Sequence, residues 1–168
     1  IKSNVKKTQL QMLLRGKNLV GYKRYDDSVI DLFIKKSIEN GINVFRIFDA
    51  LNDLDNIIYS IECVNKYDAN SQGTISYTTS PVHNEKYWLK LAKDIEDAGA
   101  KSLGIKDMAG LLKPKTAYNL IKKLKKNLKI PIHLHTHATT GLSDATNFKA
   151  YEAGVCLLYT SPSPRDNR

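Results

Sequence analysis

The sequence predicts an α/β fold built on a parallel β-sheet, and two features of the chain carry this prediction. A short apolar run, a polar loop and an amphipathic stretch follow one another about every 30 residues. Glycine stands between a helical stretch and the next apolar run at Gly41, Gly99 and Gly154, where a left-handed helix cap favours it. Repeated strand–helix units of this kind place consecutive strands side by side and parallel.

Five apolar runs are the predicted strands, because they are rich in the β-branched, aliphatic and aromatic residues of buried parallel strands. They cover residues 8–14, 43–49, 73–79, 102–107 and 131–137. The stretches between them are predicted helices. Asp53 and Asn84 are their predicted N-caps, and Pro114 fits a first helical turn. One helix shows its apolar stripe clearly, with Leu54, Ile57, Ile58, Ile61 and Val64 at helical spacing.

The ends of the runs favour a barrel over an open sheet. Five units and the start of a sixth fill residues 8–160, so a complete open sheet would also fit this length. An open sheet usually has a glycine-rich first turn, however, and the chain contains no G-x-G-x-x-G motif. In a barrel the carboxyl ends of the strands meet at one mouth. Polar residues stand at the carboxyl ends of all five runs: Arg15, Asp49, Thr78 or Thr79, Lys106 with Asp107, and His135 with His137.

The predicted fold is therefore a partial (β/α)₈ barrel, the TIM-barrel architecture. A closed barrel takes ~250 residues, and this chain has 168. We expect about five βα units to be present, with the first strand and the last units missing.

Composition bears on several other classes of protein. Hydrophobic residues make up 42% of the chain, which suits one globular unit, and no run approaches the ~18–20 apolar residues that cross a bilayer. Cys63 and Cys156 lie in separate apolar segments, which argues against a disulfide and predicts a reduced, cytoplasmic setting.

The net charge of +9 could serve nucleic-acid binding, but only five of the 26 basic residues are arginine. We expect a solvated lysine surface and no nucleic-acid partner.

The sequence His-Leu-His-Thr-His at residues 133–137 holds three of the four histidines. Alternate side chains of a strand point to the same face, so His135 and His137 can reach one metal ion at the mouth. Hydrogen-bonded histidines at a polar strand end are the alternative. His133 shares their parity but lies deeper in the strand, which indicates a supporting role.

Two further strand-end residues have alternative interpretations. Lys106 follows the apolar residues 102–105, and it either pairs with Asp107 or Asp49 or is carbamylated by CO₂ to become an anionic metal ligand. The pairing is the simpler account of the residues alone. Arg15 either captures a carboxylate or enolate at the mouth or forms a surface ion pair, and the loop after it carries Tyr22.

Five segments together resemble one known family. They are QMLLRG (11–16), VFRIFDALND (44–53), GTISYTTSPVH (73–83), IKDMAGLL (105–112) and HLHTHATTG (133–141). In this order, across residues 8–155, they are very similar to the carboxyltransferase domain of pyruvate carboxylase and to the α subunit of oxaloacetate decarboxylase. Ala138 makes the last segment more like the decarboxylase and two-subunit carboxylase branch than the single-chain carboxylases, which tend to have aspartate there.

The resemblance implies a TIM barrel with a divalent metal ion of the Zn, Mn or Co type. Its metal ligands would be carbamylated Lys106, His135 and His137, which reverses the simpler account of Lys106. Arg15 would contact the keto acid or its enolate and act in catalysis together with Lys106, and Tyr22 would lie near the substrate.

The resemblance also implies carboxyl transfer between oxaloacetate or pyruvate and biotin, with biotin attached to a carrier domain outside this chain. The implied partners are a biotin carboxylase subunit or the membrane subunits of a decarboxylase, and further copies of the full-length chain. Two other functions stay open: a related metal-dependent TIM-barrel lyase or acyl-CoA condensing enzyme, and a non-enzymatic scaffold.

The resemblance sets the expected domain boundaries. Residues 1–155 form the incomplete barrel, and residues 156–168 are expected to be an artefactual tail, because their composition departs from the family inside a needed strand. The family's fourth metal ligand, an aspartate on the first strand, would lie upstream of Ile1. We therefore expect the chain as written to be inactive and its full-length parent to be an enzyme.

Overall fold

The computed structural model describes residues 1–161, in which parallel strands alternate with helices. The strands are β1 Gln11–Leu14, β2 Val44–Phe48, β3 Asn70–Ser76, β4 Ser102–Asp107, β5 Ile132–His137 and β6 Leu157–Ser161. The helices are α1 Asp27–Glu39, α2 Leu54–Lys66, α3 Glu85–Asp97, α4 Pro114–Asn127 and α5 Ser143–Glu152. Short 3₁₀ turns follow β1 at Gly16–Asn18 and β5 at Ala138–Thr140.

The six strands form one parallel sheet in the order β1-β2-β3-β4-β5-β6. Each strand pairs with the next one along the chain, so every helix crosses over between neighbouring strands. The sheet curls into a half-barrel with the helices on its outer face, which confirms the predicted partial TIM barrel. Within residues 1–161, β1 and β6 are the two edges of the sheet.

The hydrophobic core lies between the sheet and the helices. Strand residues of one parity, such as Phe45, Ile75 and Ile105, are fully buried against the helical layer. The stripe predicted on α2 contributes Ile57, Ile61 and Val64 to the same core. Residues of the other parity face the concave inner side of the sheet, and that side is largely polar.

The predicted helix ends are confirmed. Asp53 accepts a hydrogen bond from the backbone N–H of Asp55 at 3.1 Å, and Asn84 accepts one from that of Tyr87 at 3.1 Å. Pro114 opens α4. The three predicted cap glycines all have positive φ values, at 101° for Gly41, 88° for Gly99 and 89° for Gly154.

The predicted bounds of two strands are wrong. β3 covers Asn70–Ser76 rather than residues 73–79, and β1 begins at Gln11 rather than at residue 8. The predicted β3 begins too late because residues 70–72 are polar and lack the apolar character that marks a buried strand. Ser71 and Gln72 are in fact buried, where Ser71 donates to the side chain of Asn65 at 2.8 Å and Gln72 contacts Arg46.

The segment predicted to be an artefactual tail begins with a strand. β6 pairs with β5 from His133–Leu157 to His137–Ser161, in the register that continues the sheet. Residues 162–168 lie outside the described residues. The assignment of residues 156–168 to a non-family origin stays a prediction.

The two cysteines form no disulfide with each other. Cys63 is buried, Cys156 is exposed, and both are free thiols. Burial, helped by Asp31, raises the pKa of Cys63 to about 12, so it is an inert thiol. Among the described helices, none combines the length and the apolar character that a membrane span requires.

Asp31 joins α1 to α2, and we expect it to make the stability of the protein depend on pH in acid. Asp31→Asn should reduce this loss of stability at low pH. Lys66 and Tyr67 donate to the Asp31 carboxylate at 2.7 and 2.6 Å. These bonds lower the pKa of Asp31 from 3.8 to about 2, and the bond from Lys66 has the larger effect. Below the unfolded pKa the unfolded chain binds more protons, so this stabilisation is present above pH ~4 and is lost as pH falls through ~2.

Urea midpoints measured near pH ~5 and pH ~2.5 check this expectation. The wild-type midpoint should fall more steeply between the two conditions than that of Asp31→Asn. Asp68→Asn is the matched control, since Asp68 is an exposed carboxylate in the neighbouring turn and lies outside this cluster. Equal slopes for wild type and Asp31→Asn would contradict the assignment.

Candidate functional site

A cavity of about 570 Å³ opens at the carboxyl ends of the first four strands. It brings together Arg15, Tyr22 and Lys106, which the sequence analysis had assigned to one site. The wall is completed by Asn18, Gly21, Phe48, Asp49, Ala50, Ser76, Tyr77, Thr78 and Met108. Its dimensions suit a small organic acid or a larger group that enters partway.

Lys106 lies on the inner face near the end of β4 and is only 5% exposed. Its Nζ lies 4.0 Å from the centroid of the Phe48 ring, and among the described residues it forms no ion pair. Burial lowers the pKa of Lys106, and the positive charges of Arg46 and Arg15 lower it further. A lysine with a lowered pKa is more readily the neutral amine that carbamylation requires.

The simpler account of Lys106, an ion pair with Asp107 or Asp49, is wrong. Asp107 points to the opposite side of β4 and accepts from the backbone N–H groups of Leu111 at 2.9 Å and Leu112 at 2.8 Å. Asp49 is likewise occupied, with the loop after β2. It accepts from the backbone of Leu51 and Asp53 and from the side chain of Asn56.

His135 and His137 share the inner face of β5, with ring centroids 5.0 Å apart. β4 and β5 pair so that Lys106 is opposite His135, which places the three predicted metal ligands on adjoining strand ends. Burial, and then the charge of Arg46, lowers the pKa of His135 to about 4. Burial followed by the charge of Lys106 also lowers the pKa of His137. Both rings are therefore neutral near pH ~7, the form that binds metals.

The donors at this place fit a metal ion in part. The Nε2 atom of His137 is buried and has no hydrogen-bond partner among the described residues, which is the state of a ligand atom awaiting a partner. His135 Nε2 instead contacts Ser161 Oγ at 2.8 Å. Within residues 1–161 no three His, Cys, Asp or Glu side chains converge, so a third ligand from this part of the chain would be carbamylated Lys106.

Arg15 and Tyr22 form the outer side of the cavity. Arg15 follows β1 directly, and its guanidinium carbon lies 4.7 Å from the centroid of the Tyr22 ring. Tyr22 is 90% exposed, so this cation–π contact covers the arginine on the solvent side only. The arrangement leaves the guanidinium available to an anion inside the cavity.

Gly16 holds Arg15 in place, and we expect Gly16→Ala to destabilise the protein by about 2–4 kcal/mol, from overpacking together with strain of the left-handed backbone. Gly16 has a φ of 46°, and an added Cβ would collide with the backbone oxygen of Asn56 and lie 2.8 Å from its Cγ. The same asparagine accepts from the backbone N–H of Lys17 at 2.7 Å, so it cannot withdraw without breaking that bond.

Gly141→Ala separates the collision from backbone strain. Gly141 has a φ of 75°, but nothing lies within 4 Å of the added Cβ. We expect Gly141→Ala to lower the free energy of unfolding by only the ~1 kcal/mol that a strained backbone costs. Unfolding free energies from urea titrations of the two variants and wild type provide the comparison. Equal losses would show that the contact with Asn56 does not constrain the Arg15 loop.

A buried polar network lies under the site, and it contains His133, for which a supporting role was predicted, together with Arg46 and Gln72, which the sequence analysis missed. Arg46 is 4% exposed on the inner face of β2, and its Nε donates to Gln72 Oε1 at 2.6 Å. Gln72 Nε2 contacts His133 Nδ1 at 2.5 Å, and Arg46 also reaches His135 Nδ1 at 3.5 Å. The sequence did offer one sign of this network. Arg46 is a single charged residue in a buried strand, at a position whose side chain points to the inner face of the sheet.

The loops after β4 and β5 are joined next to the histidines. Thr140 Oγ1 donates to the backbone oxygen of Gly110 at 2.8 Å, and Thr146 Oγ1 at the start of α5 donates to that of Leu112 at 2.8 Å. Because the 3₁₀ turn containing Thr140 begins directly after His137, this contact fixes the end of β5 against the end of β4. The ends that carry Lys106 and His137 are thus held together.

The fold and these strand ends define a parallel-barrel protein with a polar, cationic mouth. The HMGL-like family model matches residues 30–161, and the chain belongs to this family. The protein is 48% identical over 164 residues to a pyruvate carboxylase subunit of Methanocaldococcus jannaschii, covering 98% of this chain and 29% of that protein. It is 49% identical over 158 residues to the methylmalonyl-CoA carboxyltransferase 5S subunit of Propionibacterium freudenreichii subsp. shermanii, covering 93% of this chain and 31% of that protein.

Solved structures give the same result. The carboxyl transferase domain of Rhizobium etli pyruvate carboxylase, with oxamate and biotin bound, matches with a TM-score of 0.92 and 39% identity. The match covers 96% of this chain and 28% of that one. The resemblance to carboxyltransferase domains is therefore confirmed. The chain spans about 30% of the length of these relatives.

Proposed function

We propose that these residues are part of a biotin-dependent carboxyltransferase that moves a carboxyl group between oxaloacetate or pyruvate and biotin. The observation that carries the proposal is the cavity that brings Arg15, Tyr22 and Lys106 together beside His135 and His137. Its support from relatives is the 48% identity to a pyruvate carboxylase subunit over nearly the whole chain. In this proposal the chain contributes one part of the active barrel of a longer protein, called here the full-length protein.

Arg15 is the proposed keto-acid ligand. In the decarboxylation direction the bond between C3 of oxaloacetate and its carboxyl carbon breaks, and the carboxyl group passes to a biotin nitrogen, whose proton is released. The electron pair of the broken bond forms the enolate of pyruvate. The guanidinium of Arg15 stabilises the enolate oxygen, and a proton at C3 completes pyruvate. Tyr22 covers the cavity on its solvent side.

Carbamylated Lys106, His135 and His137 would hold a divalent ion of the Zn, Mn or Co type. Bound there, the ion would act as a Lewis acid toward the keto oxygen. Three observations on the residues themselves support this set. Lys106 is buried without a carboxylate partner among the described residues, and burial lowers its pKa. His137 Nε2 has no hydrogen-bond partner among the described residues, and the pKa values of both histidines are lowered. The proposed partners are a biotin carrier domain, a biotin carboxylase subunit or membrane decarboxylase subunits, and further copies of the full-length protein.

The test is pyruvate release from oxaloacetate by the full-length protein, with and without free biotin, after subtraction of the spontaneous rate. Biotin-stimulated pyruvate release is the expected result. No pyruvate from a folded, metal-loaded protein would contradict the proposal. Acyl-CoA substrates would then be assayed, because a metal-dependent lyase or acyl-CoA condensing enzyme is the alternative enzymatic function.

A further inference from the structure

We propose that Asn52 is a positioning residue that sets the shape of the keto-acid cavity by clamping the ends of two strands together. Asn52 follows β2 and is 7% exposed, and its side-chain hydrogen bonds go to Ser76 rather than to a predicted ligand. It lies outside the cavity wall, so any effect on the substrate must act through its neighbours. This inference rests on the proposed function, since it concerns the substrate of the same cavity.

The clamp is a pair of hydrogen bonds between one side-chain amide and one backbone unit. Asn52 Nδ2 donates to the carbonyl oxygen of Ser76 at 3.0 Å, and the backbone N–H of Ser76 donates to Asn52 Oδ1 at 2.8 Å. The Ser76 hydroxyl also donates to the carbonyl oxygen of Asp49 at 2.8 Å. The last paired residues of β2 and β3 are Phe48 and Thr74, so the amide continues the sheet beyond the backbone ladder.

The clamp joins three walls of the cavity. Phe48 and Asp49 line it from β2, and Ser76 lines it from β3. The backbone N–H of the next residue, Tyr77, donates to the carbonyl oxygen of Lys106 at 2.9 Å, which extends the connection to β4. Loss of the clamp would leave the Ser76 hydroxyl bond to Asp49 to hold the ends of β2 and β3 beyond the backbone ladder, and we expect the cavity to widen between Arg15 and Lys106.

The backbone conformation at Asn52 also favours asparagine at this position. Its φ is 60°, in the left-handed region that asparagine adopts more readily than other residues with a side chain. This conformation directs the amide back toward β3. Glycine accepts the same φ without a side chain, so Asn52→Gly removes the clamp while keeping the backbone path.

Asp68 provides a matched control. It has the same φ of 60° but lies exposed in the turn between α2 and β3, at the opposite end of the sheet. Asp68→Gly therefore makes the same backbone substitution away from the cavity. Asn52→Ala is the third variant, and it adds strain at φ 60° to the loss of the amide.

The first measurement is hydrogen–deuterium exchange of peptides spanning residues 74–80 in the full-length protein, which does not depend on any activity. We expect Asn52→Gly to raise exchange at the Ser76 amide at least about tenfold, because that N–H loses Asn52 Oδ1 as its acceptor, whereas the Tyr77 amide keeps the carbonyl oxygen of Lys106. Asp68→Gly should exchange as wild type does. Unchanged exchange in Asn52→Gly would overturn the clamp, whatever the enzyme does.

The second measurement is the split between KM and kcat for oxaloacetate with free biotin. We expect Asn52→Gly to raise KM about tenfold or more with a smaller change in kcat, and Asn52→Ala to match it in KM while unfolding at lower urea. Wild-type KM in Asn52→Gly, with wild-type turnover present, would overturn the positioning role. Absence of turnover in wild type would contradict the proposed function instead, and the exchange result would still decide the clamp.

Discussion

Replacement of Lys106 by alanine is expected to reduce biotin-stimulated pyruvate release by the full-length protein at least ~10³-fold. A bound metal ion contributes several kcal/mol to the stabilisation of developing charge, and each ~1.4 kcal/mol is worth a factor of ten in rate. Lys106 is the member of the proposed ligand set that lies in the cavity wall itself. Its removal should therefore lower both turnover and bound metal, measured by elemental analysis of the same preparations.

Lys86→Ala is the control for this prediction. Lys86 is exposed on α3 and does not line the cavity, so its loss should leave turnover and metal content unchanged. Two outcomes would oppose the assignment. Full metal content in Lys106→Ala would exclude Lys106 as a ligand, and undiminished turnover would exclude it from the reaction.

The positions of the strands could be predicted from the sequence because local chemistry decides them. Buried parallel strands need runs of apolar residues, and the helices between them need caps that only a few residue types supply. Both signals lie within a few positions of each other along the chain. The same locality explains the error at β3, whose polar beginning at Asn70 is buried through contacts made elsewhere in the fold.

Part of the site could also be predicted, because strand parity carries over into three dimensions. His135 and His137 are two positions apart, and a strand must place both on one face. Lys106 and Arg15 could be assigned to the mouth because each follows or ends a predicted strand. The structure brings Arg15 and Lys106 to the wall of one cavity, as the barrel requires.

The rest of the site depends on contacts between residues far apart in sequence. Gln72 contacts His133 across 61 positions, and Asn52 contacts Ser76 across 24. Nothing near Asn52 in sequence distinguishes a clamp from a loop asparagine, since its partner is a backbone unit that any residue would offer. Arg46 was overlooked for a related reason, because one charge within an apolar run does not distinguish that run from an ordinary strand.

Replacement of Arg15 by lysine is expected to reduce pyruvate release by ~10²–10³-fold, even though the charge is kept. A guanidinium presents parallel N–H donors in one plane, whereas an ammonium group is a point charge that cannot hold a carboxylate or enolate in the same bidentate way. Arg15 also packs against the Tyr22 ring, and a lysine would lose the flat face of that contact.

Arg24→Lys is the matched control, since Arg24 is exposed in the same loop and is not part of the cavity wall. Steady-state rates for both variants and wild type decide the role of Arg15. A loss confined to KM would mean that Arg15 binds the ground state and the enolate equally well. A loss in kcat would mean that it contacts the oxygen on which charge develops. Equal behaviour of the two arginines would remove Arg15 from the site.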